Sequence, residues 1–294
     1  MHSSIEVRRC RPLLGTFVEV KASAADESIA RRAIERAFAA VGSVHALMSF
    51  HEPSSEVSAI NRNAARRAVR VHAWTARVLR SALRFARESG GAFDVTVASE
   101  LCASGLLPDC GIRTCTGTWR DIEIDRMNRI RFARPLLVDF GGIAKGFAVD
   151  RAIAALRANS IIAGLVNAGG DLRVFGDATE IVRIRAANDP ARAGALISLR
   201  NRALATSAFY FNKNNGHRSP IIDGRTRAAI DDKISATVSA PDCMTADALT
   251  KIALLLREDA RLVFEHYAAD AFVLDPFAQA YWLNDSYAPQ RHQA

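Results

Sequence analysis

The chain has 294 residues, of which 49% are hydrophobic and 24% charged. That composition can bury one large core or two smaller ones, and it excludes an intrinsically disordered protein. A net charge of +8 favours anionic ligands in general, phosphates and nucleic acids among them. The basic residues are scattered (Arg31, Arg32, Arg66, Arg67, Arg157, Arg183, Arg185) and not interleaved with aromatics, so a nucleic-acid-binding module is the disfavoured alternative. The first twenty residues hold no long apolar run, and no uncharged stretch is long enough to span a bilayer. Five cysteines (Cys10, Cys102, Cys110, Cys115, Cys243) are odd in number and lack paired zinc spacing. A cytoplasmic protein without signal peptide or membrane span is expected.

A first strand is predicted over residues 16–22, and Asp26 then caps a helix whose apolar positions are Ile29, Ile34, Phe38, Val41 and Val44. A second helix is predicted from Trp74 to Ser89, stopped by Gly90 and Gly91. Residues 100–120 read as irregular. LLVDFGG (136–142) reads as a strand entering a glycine turn, and the helix KGFAVDRAIAALRAN follows. IIAGLVNAGG reads as a buried strand meeting a second glycine turn, with LRVFG, EIVRIRAA and ALISLR as successive strands. After the strand KISATVSA comes the helix MTADALTKIALLLRE, and AFVLD closes as a short strand. No tandem repeat or long linker interrupts this pattern. The mixture predicts an α+β fold with mixed, largely antiparallel sheets and packed helices, in a single domain (1–294) with two soft subdomains.

Four segments carry candidate chemistry. In VDFGGIAKGFAVDRA, Asp139 precedes Gly141 and Gly142, and Lys145 opens a helix. Free N–H groups and an ammonium there suit an anion, although alone the segment could be a tight turn with a solvated lysine. It is neither a P-loop nor a Gly-x-Gly-x-x-Gly fingerprint. In LVNAGGDLRVFG, Asn167, Gly169, Gly170 and Asp171 follow an apolar strand, and Gly-Gly-Asp could equally be a hairpin turn. Phe93, Asp94 and Thr96 follow the helix-ending glycines, and His51, Ser55, Glu56, Ser58 and Asn61 lie in a polar loop.

The order of these segments resembles the FAD:protein FMN transferase (ApbE) family over nearly the whole chain. The matching stretches are Gly15-Thr16, Ser55 to Asn61, Gly91 to Val97, Asp139 to Asp150, Val166 to Asp171, Ala205 to Ser207, and Ala246 to Leu249. The resemblance implies a T-fold-like architecture with FAD in a cleft between subdomains. It also implies magnesium-dependent transfer of FMN from FAD to a Thr or Ser of a client protein, with release of AMP. FAD contacts would fall to His51, Ser55, Glu56, Phe93, Asp94, Asp139, Gly141, Gly142, Lys145, Asn167, Gly169, Gly170, Asp171, Thr206, Ser207 and Asp223. Catalysis would fall to Lys145, Asp247 and His217, and a metal to Asp247, the Ala144 carbonyl and Thr250.

Three departures from the family pattern stand out. His51 replaces an aromatic. The usual His-Ile-Ile-Asp-Pro-x-Thr-Gly reads Pro220-Ile221-Ile222-Asp223-Gly224-Arg225-Thr226-Arg227, which removes the family histidine and leaves His217 as either a stand-in for activating the client hydroxyl or a surface histidine. Lys251 replaces the metal-binding Thr four residues after Asp247. An ammonium has donors and no lone pair, so an altered magnesium dependence is expected. A non-transferring homologue that binds or hydrolyses FAD is the nearest alternative.

Overall fold

The computed structural model describes residues 4–112, 115–177, 179–185, 193–208, 219–230, 234–274, 280–284 and 291–292. In chain order the first half forms β1 (Ile5–Leu13), β2 (Thr16–Ala24), α1 (Glu27–Met48), α2 (Glu56–Asn63), β3 (Val69–Arg70), α3 (Ala73–Glu88) and α4 (Ala98–Ala103). β4 (Ile122–Ile124), β5 (Arg129–Phe132), α5 (Ala144–Arg157), β6 (Ala163–Ala168), β7 (Asp171–Phe175), β8 (Glu180–Arg185) and β9 (Ala193–Leu199) follow. The rest is β10 (Ala203–Ala208), β11 (Ile222–Asp223), β12 (Ala228–Ala229), β13 (Ser235–Ala240), α6 (Cys243–Leu256), α7 (Arg261–His266), β14 (Asp270–Leu274), β15 (Ala280–Trp282) and β16 (Arg291–His292). The fold is α+β with antiparallel sheets, as the patterning predicts. The chain divides into two compact units, unit 1 from Met1–His45, Lys145–Tyr210 and Lys233–Ala294, and unit 2 from Ala46–Ala144 and Phe211–Asp232.

Unit 1 is built on an eight-stranded antiparallel sheet in the order β1-β2-β6-β7-β10-β13-β14-β15. Helix α6 packs against β10 and β13 and is buried at every position from Cys243 to Thr250. The β8–β9 hairpin contributes Ile184, Ile197 and Leu199 to an apolar cluster with Leu165, Leu172, Val174, Leu204, Phe272 and Leu274 of the sheet. Each such side chain contributes about 1.5–3 kcal/mol by leaving water. Helix α1 starts where expected, because Asp26 Oδ1 accepts the Ser28 and Ile29 N–H groups at 2.7 and 3.2 Å. Its buried stripe is Ala30, Ala33, Ile34, Ala37, Phe38, Val41 and Val44.

Three strands of this sheet, β1, β10 and β15, were not anticipated. β1, whose residues are mostly exposed, lacks the alternation that marks a half-buried strand. It pairs with β2 through a turn at Leu14 and Gly15, where φ is +57° and +69°. Both positive values define the tight hairpin that keeps the strands' twist, which is why glycine sits at 15.

Unit 2 contains α2, α3, α4, the three-stranded sheet β3-β5-β4 and the β11–β12 hairpin. Phe85, Phe132, Leu136, Leu137, Phe140 and Ile143 are fully buried in it. Helix α3 ends at Glu88, and Gly90 and Gly91 take positive φ as predicted. The expected strand at 136–142 is a correction, because those residues form no strand. The Asn61 side chain pairs with both backbone groups of Val138, donating to its O at 2.9 Å and accepting from its N at 2.8 Å. A side-chain amide thus takes the place of a neighbouring strand at Val138, while Asp139 N–H donates to Val95 O at 2.9 Å. The stretch read as irregular also holds the short helix α4.

Candidate functional site

In unit 1 the start of α5, the β6–β7 turn and the first turns of α6 bring four charged side chains together. Lys145 Nζ donates to Asp171 Oδ2 at 2.6 Å. Lys251 Nζ donates to Asp247 Oδ1, and also to the Asp247 carbonyl at 3.1 Å. Asp247 Oδ2 accepts the Gly146 N–H at 3.0 Å. The two carboxylates retain 2% (Asp171) and 0% (Asp247) of their side-chain surface, whereas Lys145 keeps 33% and Lys251 18%. The carboxylates are therefore closed to solvent, and only the lysine side chains keep part of their surface.

The charges set the titration. Burial alone would lower the Lys145 ammonium, but Asp171 and Asp247 outweigh it and hold the group above its ordinary value. Burial would raise Asp247, yet Lys251, Lys145 and the Gly146 N–H hold it below the usual carboxylate range. Burial and then the Asp247 charge push Asp171 up against the pull of Lys145.

Local chemistry places each member. α6 is capped twice, by Asp242 Oδ1 accepting Thr245 N–H at 2.9 Å, and by Asp150 from α5, whose Oδ1 and Oδ2 accept Cys243 and Met244 N–H at 3.0 and 2.9 Å. Arg173 Nη1 neutralises Asp150 at 2.5 Å. Gly146 lets the helices meet, since a Cβ there would lie 2.1 Å from the Cys243 carbonyl oxygen and 2.8 Å from Asp247 Cβ. Thr250 Oγ1 donates to the Asp247 carbonyl at 2.7 Å, so the 2.8 Å contact with Ser207 Oγ has Ser207 as donor. Thr206 pairs instead with Thr237 at 2.9 Å. Asn167 Oδ1 accepts Gly170 N–H at 2.9 Å and closes the turn before Asp171. Gly169, at φ +64°, lies so close to Thr16 that a Cβ would be 2.5 Å from its Oγ1, which ties Gly15-Thr16 to this turn.

The sequence also pointed to Asp247 and Thr250 as ligands for a divalent cation, and their geometry does not fit one. Both Asp247 carboxylate oxygens, its carbonyl and the Thr250 hydroxyl oxygen are hydrogen-bonded, and one partner is an ammonium. A cation needs converging lone pairs, and a lysine there offers repulsion instead. Among the described residues no group of three or more His, Cys, Asp or Glu side chains could hold a metal.

Unit 2 holds the other candidates. Ser55 caps α2 by accepting Ser58 N–H at 3.1 Å. Glu56 accepts His72 N–H at 2.7 Å and the Thr75 hydroxyl at 2.5 Å, and so ties α2 to α3. Phe93 is buried edge-on against Phe85, 6.0 Å between centroids. Asp139 Oδ2 accepts Gly141 N–H at 3.0 Å, and burial raises its carboxyl, opposed by that N–H and by nearby His51. Gly142 and Ala144 lie in the turn entering α5, where Ala144 N–H donates to Phe140 O at 2.8 Å. Asp94 Oδ1 accepts Thr96 N–H at 2.8 Å, while its buried Oδ2 has no hydrogen-bond partner and faces Arg227 Nη1 at 3.6 Å. Asp223 is paired with Arg225 at 2.6 Å. His217 lies outside the described residues.

The altered 220–227 segment has a physical account. Gly224 N–H donates to Ala92 O at 3.0 Å, and a Cβ at 224 would meet Asp94 Cβ and Gly91 O at 2.4 Å. Proline could do neither. Arg227 takes φ +60°, a conformation that suits glycine, and its guanidinium reaches Glu100 at 2.7 and 2.8 Å and the Thr96 carbonyl at 2.8 Å. Reading the sequence missed Arg227, Asp150, Arg173 and Gly146. Only the 146/150 spacing, one helical turn inside a recognised segment, signalled that two of them share a face.

A helix-and-sheet fold with paired lysines and aspartates at the junction of two helices is the setting in which the comparisons fall. The ApbE family model matches residues 14–273, and the chain belongs to that family. It is 29% identical to the FAD:protein FMN transferase of Haemophilus influenzae over 248 residues, covering 74% of this chain and 71% of that protein. To the FAD:protein FMN transferase of Vibrio cholerae it is 27% identical over 279 residues, covering 86% and 82%. Among solved structures, the ApbE protein of Thermotoga maritima superposes with a TM-score of 0.82 at 25% identity, over 95% of this chain and 96% of that one. The flavin transferase ApbE of Vibrio cholerae gives 0.81 at 24% identity, over 97% and 99%, and supports the fold.

Proposed function

We propose that this chain is an FAD:protein FMN transferase, which binds FAD and moves its FMN half to a Thr or Ser hydroxyl of a client protein. The client oxygen attacks the FMN phosphorus, the pyrophosphate P–O bond breaks, the hydroxyl proton leaves to a base, and AMP departs. The observation that carries this reading is the paired cluster at Lys145, within the segment matching the family. Its two ammonium groups offset pyrophosphate charge, and charge-assisted hydrogen bonds orient it. Lys145 is the phosphate contact, Asp171 and Asp247 hold the lysines in place, and the Asn167–Gly170 turn fixes Asp171. The family resemblance also assigns FAD contacts to His51, Ser55, Asp94, Asp139 and Asp223, and His217 is proposed as the base.

Magnesium belongs to the family expectation, and the contacts of Asp247 argue against it here. Five free cysteines support a reducing, cytoplasmic setting. Among the described residues no helix is long and apolar enough to cross a membrane. Purified chain, FAD and a candidate client should yield AMP and an FMN-sized mass increase on the client. The second reading, an FAD-binding homologue without transfer, is favoured by Pro220 at the family histidine's position. FAD binding with no mass increase on any client tested would select it.

A further inference from the structure

In the unit 1 cluster the carboxylate side chains of Asp171 and Asp247 keep 2% and 0% of their surface, and only the side chains of Lys145 and Lys251 keep an appreciable part, 33% and 18%. Lys251 is bound to a single residue through two oxygens, Asp247 Oδ1 and Asp247 O. An ammonium carries three donors, so one N–H of Lys251 is left for a ligand, and Lys145 spends one on Asp171. The opposite carboxylate oxygen of Asp247 is occupied by Gly146 N–H, from a helix so close that a Cβ at 146 would lie 2.8 Å from Asp247 Cβ. A divalent cation on this buried carboxylate would have to sit beside the Lys251 ammonium and be repelled by it. An anionic oxygen is attracted by the same ammonium.

We propose that the Lys251 ammonium, seated on Asp247, is this chain's built-in cation, and that Lys145 and Lys251 together bind the dinucleotide's pyrophosphate without a metal. The proposal rests on the FAD reading above, and makes Lys251 a binding residue. Asp247 then positions a lysine and does not ligate an ion. A lysine at i+4 from an aspartate is ordinarily a solvated surface pair of small effect. The zero exposure of Asp247, and its shared contact with Gly146, separate this pair from that case.

The test is calorimetric titration of the full chain with FAD, in EDTA and in Mg2+, for wild type, Lys251→Thr, Lys251→Met and Lys251→Arg. Wild-type affinity should be the same in both buffers, and Lys251→Thr should bind roughly tenfold more weakly in EDTA, the scale of one charge-assisted contact. Mg2+ should restore affinity to Lys251→Thr and leave Lys251→Met weak, because only threonine offers an oxygen. Lys251→Arg keeps the charge, and should bind without metal even if the smaller side chains disturb folding. Wild-type affinity that requires Mg2+, or a Lys251→Thr variant as tight as wild type in EDTA, would overturn the proposal. A separate titration of wild type with Mg2+ alone distinguishes this from failure of the FAD reading. If FAD does not bind in any buffer, the FAD reading fails. Mg2+ heat that Asp247→Asn abolishes would then overturn the built-in cation as well, and its absence would leave the cluster metal-free.

Discussion

Each unit carries a basic residue where the family pattern has an uncharged one, Lys251 in unit 1 and Arg227 in unit 2, and the two are accommodated differently. Lys251 continues a helix without backbone strain and meets its carboxylate one turn away. Arg227 sits at φ +60° and reaches residues more than 120 positions distant in sequence, Glu100, Thr96 and Asp94. The first cation completes a cluster in which every carboxylate has a partner. The second leaves the Asp94 Oδ2 without a hydrogen bond. A substituted charge integrates fully where its partner is local and helical, and partially where it relies on a strained turn.

The largest effect should come from the support beneath unit 1's cluster. Asp150→Ala would leave Arg173 half-buried without its carboxylate and remove two N–H acceptors from the start of α6. A loss of about 3–5 kcal/mol is expected, the scale for breaking a buried pair. Urea unfolding followed by circular dichroism measures it, and a midpoint near wild type would show that Asp242 alone caps α6. Next comes Gly146→Ala, whose methyl would overlap the Cys243 carbonyl oxygen. Forcing the helices apart should cost about 1–3 kcal/mol. It should also loosen Asp247 and weaken FAD, so a variant of wild-type stability would mean that α5 shifts freely along α6.

In unit 2 the backbone and side-chain contributions of Arg227 can be separated. Arg227→Ala and Arg227→Gly lose the same guanidinium contacts, but only glycine relieves the positive φ. The glycine variant should be more stable than the alanine variant by about 1 kcal/mol. Equal unfolding midpoints for the two would show that residue 227 leaves the left-handed region once its ion pairs are gone.

The difference between the units also explains what could be read from sequence. Helices α1, α3, α5 and α6 and strands β2, β6, β7, β13 and β14 of the large sheet follow from period and capping, as Asp26 and the Gly90-Gly91 stop illustrate. The Lys251–Asp247 pair is legible because i,i+4 residues of a helix share a face. β1 is not legible, being exposed on most of its length, nor is the unpaired stretch before Gly141. There Asn61 supplies the hydrogen bonds that a strand would give, and apolar residues at 136–138 look alike in either case. The partners of Arg227 and Asp150 are set by tertiary packing, which no local pattern encodes. The closeness of α5 and α6 is visible only as a glycine inside a helix, and a glycine there serves a bend or a cap equally well.

The smallest expected effect is a pH slope, and it has opposite signs at Asp94 in unit 2 and Asp247 in unit 1. In unit 2, burial raises the Asp94 carboxyl above its ordinary 3.8, against the Thr96 and Arg227 contacts that lower it. Between 3.8 and that higher value the folded chain holds a proton that the unfolded chain releases. Stability from this group is thus complete below 3.8 and falls as pH rises through the folded value. In unit 1, Asp247 is depressed, so its contribution is complete above 3.8 and is lost as pH falls through its lower folded value. Asp94→Asn cannot titrate, and should shrink the decline in urea midpoint above 3.8 while leaving the acid limb unchanged. The decline should shrink and not vanish, because burial also raises Asp139, Asp150 and Asp171. An Asp94→Asn profile that parallels wild type throughout would mean that Arg227 closes on Asp94 in solution and cancels the effect of burial, which would erase the contrast between Asp94 and Asp247.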